Sequence, residues 1–191
     1  MKQIHFTAMR RTLAFLLAFL FPVLLFAGSD SEAQPAASPW GDRAPRPVYS
    51  FDGYANNPNV KYLYFSGDLL NPLSRKKAPF TIGTWDIQDM LPTLKGLLVM
   101  GSTKKSIIKQ MQRDVDKIDA SKKFETLTNT ESLRIYGHHI SGLNYAYDEV
   151  VVFMEMDGTQ TIIQLFGHIY SQNLNELIST SYIAKDAKKT K

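Results

Sequence analysis

Val150-Val151-Val152-Phe153-Met154-Glu155-Met156-Asp157-Gly158-Thr159-Gln160-Thr161-Ile162-Ile163-Gln164-Leu165-Phe166-Gly167 decides the fold of this chain. Two β-rich runs flank Asp157-Gly158, a pair whose residues both tolerate the positive φ of a two-residue hairpin turn. Val150, Val152, Met154 and Met156 share one face of the first strand. Ile163, Leu165, Gly167 and Ile169 share one face of the second. The opposite faces, with Val151, Phe153, Ile162 and Phe166, are apolar too. A sheet with two apolar faces needs cover on both, or a partner. Asp148-Glu149 interrupts the apolar run of the first strand, and a bulge is expected there.

Working outward, Leu133–Ile140 and Leu143–Met156 join Thr159–Tyr170 in an antiparallel meander, with Ser141-Gly142 as the weaker turn. Lys123–Leu127 is a further strand. Before it, Ile107, Ile108, Met111, Val115 and Ile118 form a single apolar stripe, which predicts a helix over 103–119. Lys104 and Lys105 near its start and Asp114, Asp116 and Asp119 near its end oppose the helix macrodipole. Packing of the stripe must therefore hold this helix. Val60–Phe65 and Leu94–Met100 read as strands, and a helical turn is expected at 68–73 before a basic loop at 74–79. Thr84 is suited to cap a brief helix over Trp85–Leu91 that stops at Pro92. A closing helix at Leu174–Tyr182 takes Asn173 as N-cap and Glu176 three residues on. The expected fold is α+β: a mostly antiparallel sheet of four to six strands with a C-terminal three-stranded meander and helices packed on it. The domain spans 60–184, and 185–191 form a basic tail.

The first 33 residues read as an address. Lys2, Arg10 and Arg11 precede the uncharged apolar run Leu13–Ala27, and small and polar residues follow it. That is the order of a secretory signal peptide. Fifteen residues rise about 22 Å as a helix, short of a hydrocarbon core of about 30 Å. Cleavage is thus expected over retention as a membrane anchor, after Ser29 (Ala27 at −3) or after Ala33 (Ser31 at −3). Residues 34–59 carry Pro35, Pro39, Pro45, Pro47 and Pro58 and read as a flexible spacer. Trp40, Tyr49, Phe51 and Tyr54 within it are expected to pin it onto the domain or to contact a partner.

The formal charge of +4 belongs partly to the leader. Lys2, Arg10 and Arg11 are three of the 22 basic residues, so a cut after Ser29 leaves 19 basic against 18 acidic, and a cut after Ala33, which also removes Asp30 and Glu32, leaves 19 against 16. A near-neutral product argues against a nucleic-acid binder. The 191 residues contain no cysteine, which excludes disulfides, thiolate metal ligands, cysteine nucleophiles and a lipid-modified N-terminal cysteine.

Candidate chemistry is sparse. His138 and His139 are strand neighbours and point to opposite faces, against one shared metal; a two-histidine site with Glu149 or Glu155 would need His168 to approach one of them, with the outer meander strands folded close. Gly101-Ser102-Thr103-Lys104-Lys105 joins a strand to a helix and suits an anion, but lacks the second glycine of a phosphate loop. Ser66 and Ser141 have small neighbours without the Gly-x-Ser-x-Gly elbow, and Ser66 reads as a turn residue. No catalytic, cofactor-binding or metal-ligating set emerges. Tyr136, Tyr145, Tyr147, Phe153 and Phe166 remain as a candidate patch on the meander for a partner or small apolar ligand.

Taken in order, the chain resembles a known family. An exported leader and spacer precede Val60-Lys61-Tyr62-Leu63-Tyr64-Phe65-Ser66 with Leu69-Leu70, then Leu94-Lys95-Gly96-Leu97-Leu98-Val99-Met100. An amphipathic helix, Phe124-Glu125-Thr126-Leu127, and a meander ending in Ile162-Ile163-Gln164-Leu165-Phe166-Gly167 precede an Asn-Leu-x-x-Leu helix. Over residues 60–180 this resembles domain of unknown function 4252, a family of small exported bacterial envelope proteins. The resemblance implies an envelope location and an α+β domain, and it implies no reaction. Lipoprotein members would carry a cysteine, from which this chain departs. The expected function is that of a non-catalytic exported envelope protein, periplasmic or secreted, binding a partner protein or small apolar ligand. It would use no cofactor and no nucleic acid, and would meet the membrane only through its signal segment. The alternative is a periplasmic hydrolase with an unrecognised site, marked by a histidine meeting an acidic residue or serine in a pocket.

Overall fold

The computed structural model describes residues 46–179 apart from Lys77, Thr84 and Asp157. The expected signal segment, spacer residues 34–45 with Trp40, the Thr84 cap, Asp157 of the hairpin turn, Tyr182 and the basic tail lie outside the described residues. The chain is α+β. In order it forms β1 (Lys61–Ser66), α1 (Gly67–Ser74), β2 (Thr81–Ile82), β3 (Trp85–Asp86), β4 (Leu94–Ser102) and α2 (Lys105–Ala120). Then follow β5 (Glu125–Asn129), β6 (Leu133–His139), β7 (Ala146–Met156), β8 (Thr159–Tyr170) and a third helix, α3, over 171–179.

Six strands make one sheet in the order β1-β4-β8-β7-β6-β5, and each neighbouring pair is antiparallel. β6, β7 and β8 are the expected meander. β7 and β8 stay in register from Val150↔Leu165 to Met156↔Thr159, so the two-residue alternation holds on both faces.

Each face carries its own core. On the first, Val150, Val152, Ile163, Leu165, Leu97 and Ile135 pack under Leu70 of α1, Trp85, Ile87, Met90 and Leu91, and Leu174 and Leu177 of α3. On the second, Val151, Phe153, Ile162, Phe166, Leu98, Met100 and Tyr136 pack under the α2 stripe Ile107, Met111, Val115 and Ile118. Fully burying each such side chain stabilises the fold by about 1.5–3 kcal/mol. The stripe thus outweighs the few tenths of a kcal/mol set against α2 by each misplaced charge.

Three local expectations are corrected. Trp85-Asp86 is a strand paired with Thr81-Ile82 rather than the start of a helix, and Gly83 at φ 61° turns the chain between them. Burial of Trp85, Ile82 and Ile87 in the first core outweighs the local helical signal. α3 begins at 171, directly from β8, so Asn173 lies inside the helix and does not cap it. The backbone N–H of Ser171 donates to the Tyr145 carbonyl instead, tying the first turn of α3 to the residue that precedes β7. Third, the packed domain reaches back before Val60. Phe51 and Tyr54 are buried in the second core, around a 3-10 turn at Asp52–Tyr54.

Candidate functional site

The five aromatic residues of the candidate patch do not form one surface. Tyr136, Phe153 and Phe166 lie under α2 and are buried in the second core. The Arg134 guanidinium lies 5.8 Å from the Phe153 ring centroid. Tyr147 is buried in the first core, on the opposite face. The cause is an irregularity at Asp148: against β6, His138 pairs with Glu149 and His139 with Tyr147, which leaves Asp148 extra, while against β8 the pairs Tyr147↔Ile169 and Glu149↔Phe166 leave Gly167 and His168 opposite it, and the alternation before Asp148 is reversed. Only Tyr145 of the five is strongly exposed, at 60%.

Gly137 makes room for Tyr147. A Cβ at Gly137 would lie 2.5 Å from the Tyr147 ring. The Tyr147 hydroxyl donates to Glu125 Oε2 at 3.0 Å, and His139 Nε2 meets the same oxygen at 2.8 Å. The His139 and Tyr147 rings lie 4.5 Å apart. On the other face, His138 Nδ1 meets Asp148 Oδ1 at 2.6 Å. Glu149 and Glu155 are therefore not the carboxylates that the histidines bond. The two histidines keep to opposite faces with separate partners, and among the described residues no three His, Cys, Asp or Glu side chains group to hold a metal. His139 Nδ1 is buried without a hydrogen-bond partner among the described residues.

The strand-to-helix loop at 101–105 has an internal use. Ser102 Oγ donates to the Asn59 carbonyl at 2.7 Å and accepts the Lys104 N–H at 3.1 Å. It ties the start of α2 to the chain entering β1.

Glu149 is the least expected polar residue in the core, 2% exposed. Its carboxylate accepts the backbone N–H groups of Val48 and Tyr49 and, at 2.7 Å, Gln164 Nε2. Gln164 Nε2 also donates to the Tyr49 carbonyl at 2.7 Å. Burial raises the Glu149 carboxyl above its ordinary range, against the lowering pull of those hydrogen bonds and of His138. Beside this clasp, the Tyr54 hydroxyl donates to Asp114 Oδ2 at 2.6 Å, and Lys117 bonds the same carboxylate. Burial and the Asp114 charge push the Tyr49 phenol up to about 12. Glu149, Gln164 and Asp114 thus hold residues 48–54 against the sheet and α2.

What remains outside is aromatic. Tyr145 lies just before β7 and Tyr170, 42% exposed, at the end of β8. The Tyr145 carbonyl accepts the Ser171 N–H, which brings both to one end of the meander. His168 is half-buried there, its ring 4.7 Å from that of Tyr170. Sequence reading missed Tyr170 and its contact with His168. The signal was available in Tyr170's place as the last strand residue before a helix, where a side chain leaves the cover of both cores.

A six-stranded antiparallel sheet with a core on each face and an exposed aromatic pair at one end defines an α+β domain. The chain belongs to the domain of unknown function family DUF4252, whose family model matches residues 54–177. No curated protein and no solved structure matches it.

Proposed function

We propose that this is a non-catalytic protein, exported to the bacterial envelope, that works by binding a partner protein through the Tyr145, His168 and Tyr170 end of the meander. The single observation behind this reading is the contrast between two filled sheet faces and an exposed aromatic cluster at one end. Tyrosines with an apolar ring and a polar tip are favoured at partner interfaces. The filled faces favour a protein partner over a small apolar ligand, since the ring-lined surface expected for that ligand is core.

The test is a photo-crosslinking amino acid placed at 145, at 170 and, as a control, at Lys109 on the exposed face of α2, in the native envelope. One discrete adduct from 145 and 170, absent from 109, is the expected result. Equal labelling at all three, or none, defeats the reading. Export is checked on the same preparation by the mass of the N-terminus. Asp30 or Gln34 as first residue supports it, and an intact Met1 does not.

A hydrolase is the second reading, and the His138–Asp148 pair is the observation in its favour. His138→Ala leaving activity on a panel of ester and amide substrates unchanged from wild type would end it.

A further inference from the structure

The two edges of the sheet are built differently. β5 is blunted as exposed edges usually are. It has five residues, its register slips between Thr126 and Thr128, and Glu125 sits on it as a charge engaged by His139 and Tyr147. β1 carries one of these devices, a charge at its start, and lacks the slip. All six residues pair with β4 without a slip, from Lys61↔Gly101 to Ser66↔Gly96. It contains no proline and one charge, Lys61 at its start. β4 pairs with one side of it, and no described strand pairs with the other. Leu63, in the middle of this edge, is 51% exposed.

Leu63 lies opposite Val99, on the face of the first core, as do Phe65 and, by alternation, Lys61. The strand is complementary to itself. A twofold axis perpendicular to the sheet at Leu63 sets a second β1 antiparallel to the first with faces preserved. Leu63 then meets its own copy, and each Lys61 faces the Phe65 of the other copy, a cation beside an aromatic ring. The two Lys61 side chains fall four residues apart along the strand, about 14 Å, beyond the screening length of about 8 Å. No like charges oppose each other.

We propose that β1 is a homodimerisation edge: two copies of this chain pair antiparallel through Lys61–Ser66 about Leu63, forming one continuous twelve-stranded sheet. This partner is a second copy of the chain, and the proposal does not rest on the aromatic end formed by Tyr145 and Tyr170.

Because the chain has no cysteine, single cysteines report the geometry without background. Paired antiparallel residues have Cα atoms about 4.5–5.5 Å apart, within reach of a disulfide. On mild oxidation Leu63→Cys is expected to give a covalent dimer. Leu69→Cys, 58% exposed on α1 in the wild type, should stay at least tenfold less cross-linked. In sedimentation equilibrium the exported domain is expected to be dimeric, and Leu63→Lys to raise the dissociation constant at least tenfold, with an unchanged far-ultraviolet circular dichroism spectrum. A monomeric wild type overturns the proposal, as does a dimer indifferent to Leu63→Lys or equal cross-linking from 63 and 69. If Leu63→Lys fails to fold, the cross-linking comparison decides alone. Loss of the crosslinks from 145 and 170 leaves this result untouched, so the two readings fail separately.

Discussion

Glu149 shows how one side chain sets a boundary. A carboxylate 2% exposed, with no cation bonded to it among the described residues, is tolerated because two backbone N–H groups and an amide donate to it. Its carboxyl is nonetheless raised, chiefly by burial. The linkage then has a definite sign. A group with a higher pKa folded than unfolded contributes stability that is present below its unfolded value, about 4.5, and is lost as pH rises through the folded one. Asp114 acts oppositely. Burial raises its carboxyl, but hydrogen bonds from Lys117 and Tyr54 prevail and hold it below the ordinary 3.8, so its contribution is lost only as pH falls through that lowered value. Urea unfolding from about pH 4.5 to about pH 8 should therefore show wild type losing stability relative to Glu149→Gln as pH rises. A pH-independent difference between the two proteins would contradict the assignment. Gly167 is a second position with a sharp expectation. It sits in β8 at φ 139°, and a Cβ there would lie 2.3 Å from the Thr93 carbonyl oxygen. Gly167→Ala should destabilise by about 3 kcal/mol or more, read as a lowered urea midpoint.

Among the elements, α2 is held by what it covers. Met111 is fully buried at the centre of its stripe, and Met111→Ala should cost about 2–5 kcal/mol in urea unfolding. A surface change on the same helix, Gln112→Ala, should stay within about 0.5 kcal/mol. This helix, the hairpin and the meander were legible in the chain because their apolar periods are long and unbroken. Trp85-Asp86 was not, since two residues set no period and a tertiary core decided their conformation. The candidate patch failed at one element. Alternation by two places Tyr145, Tyr147 and Phe153 on one face, and the bulge at Asp148 moves Tyr147 to the other. The bulge itself was visible in Asp148-Glu149, but its effect on the side chains before it depends on which residue is left unpaired. The partner of Glu149, in turn, lies about a hundred residues upstream, and no local pattern points to it.

At the scale of the whole molecule, the domain is longer than its β-strands. The proline-rich composition of 34–59 suggests a spacer, yet Phe51 and Tyr54 are buried at 1% and 3%, and Val48 and Tyr49 supply the donors that make Glu149 tolerable in the core. Composition reports what a segment lacks, whereas two aromatic anchors and a few backbone N–H groups suffice to dock it. A chain cut to begin at Val60 loses both rings from the second core and leaves the Glu149 carboxylate with Gln164 as its remaining donor. Losing a single buried Phe costs about 3–5 kcal/mol, and removing partners from a buried charge adds about 1–3 kcal/mol. Against a typical total of about 5–15 kcal/mol, such a product is marginal or unfolded. A chain begun at Arg46 keeps every one of these contacts. It should match a chain begun at Gln34 in urea midpoint, while the Val60 version shows a much lower midpoint or no cooperative transition. Equal midpoints for the two would mean that residues 46–59 add nothing to the core, and that Glu149 and Gln164 do not clasp the segment to the sheet.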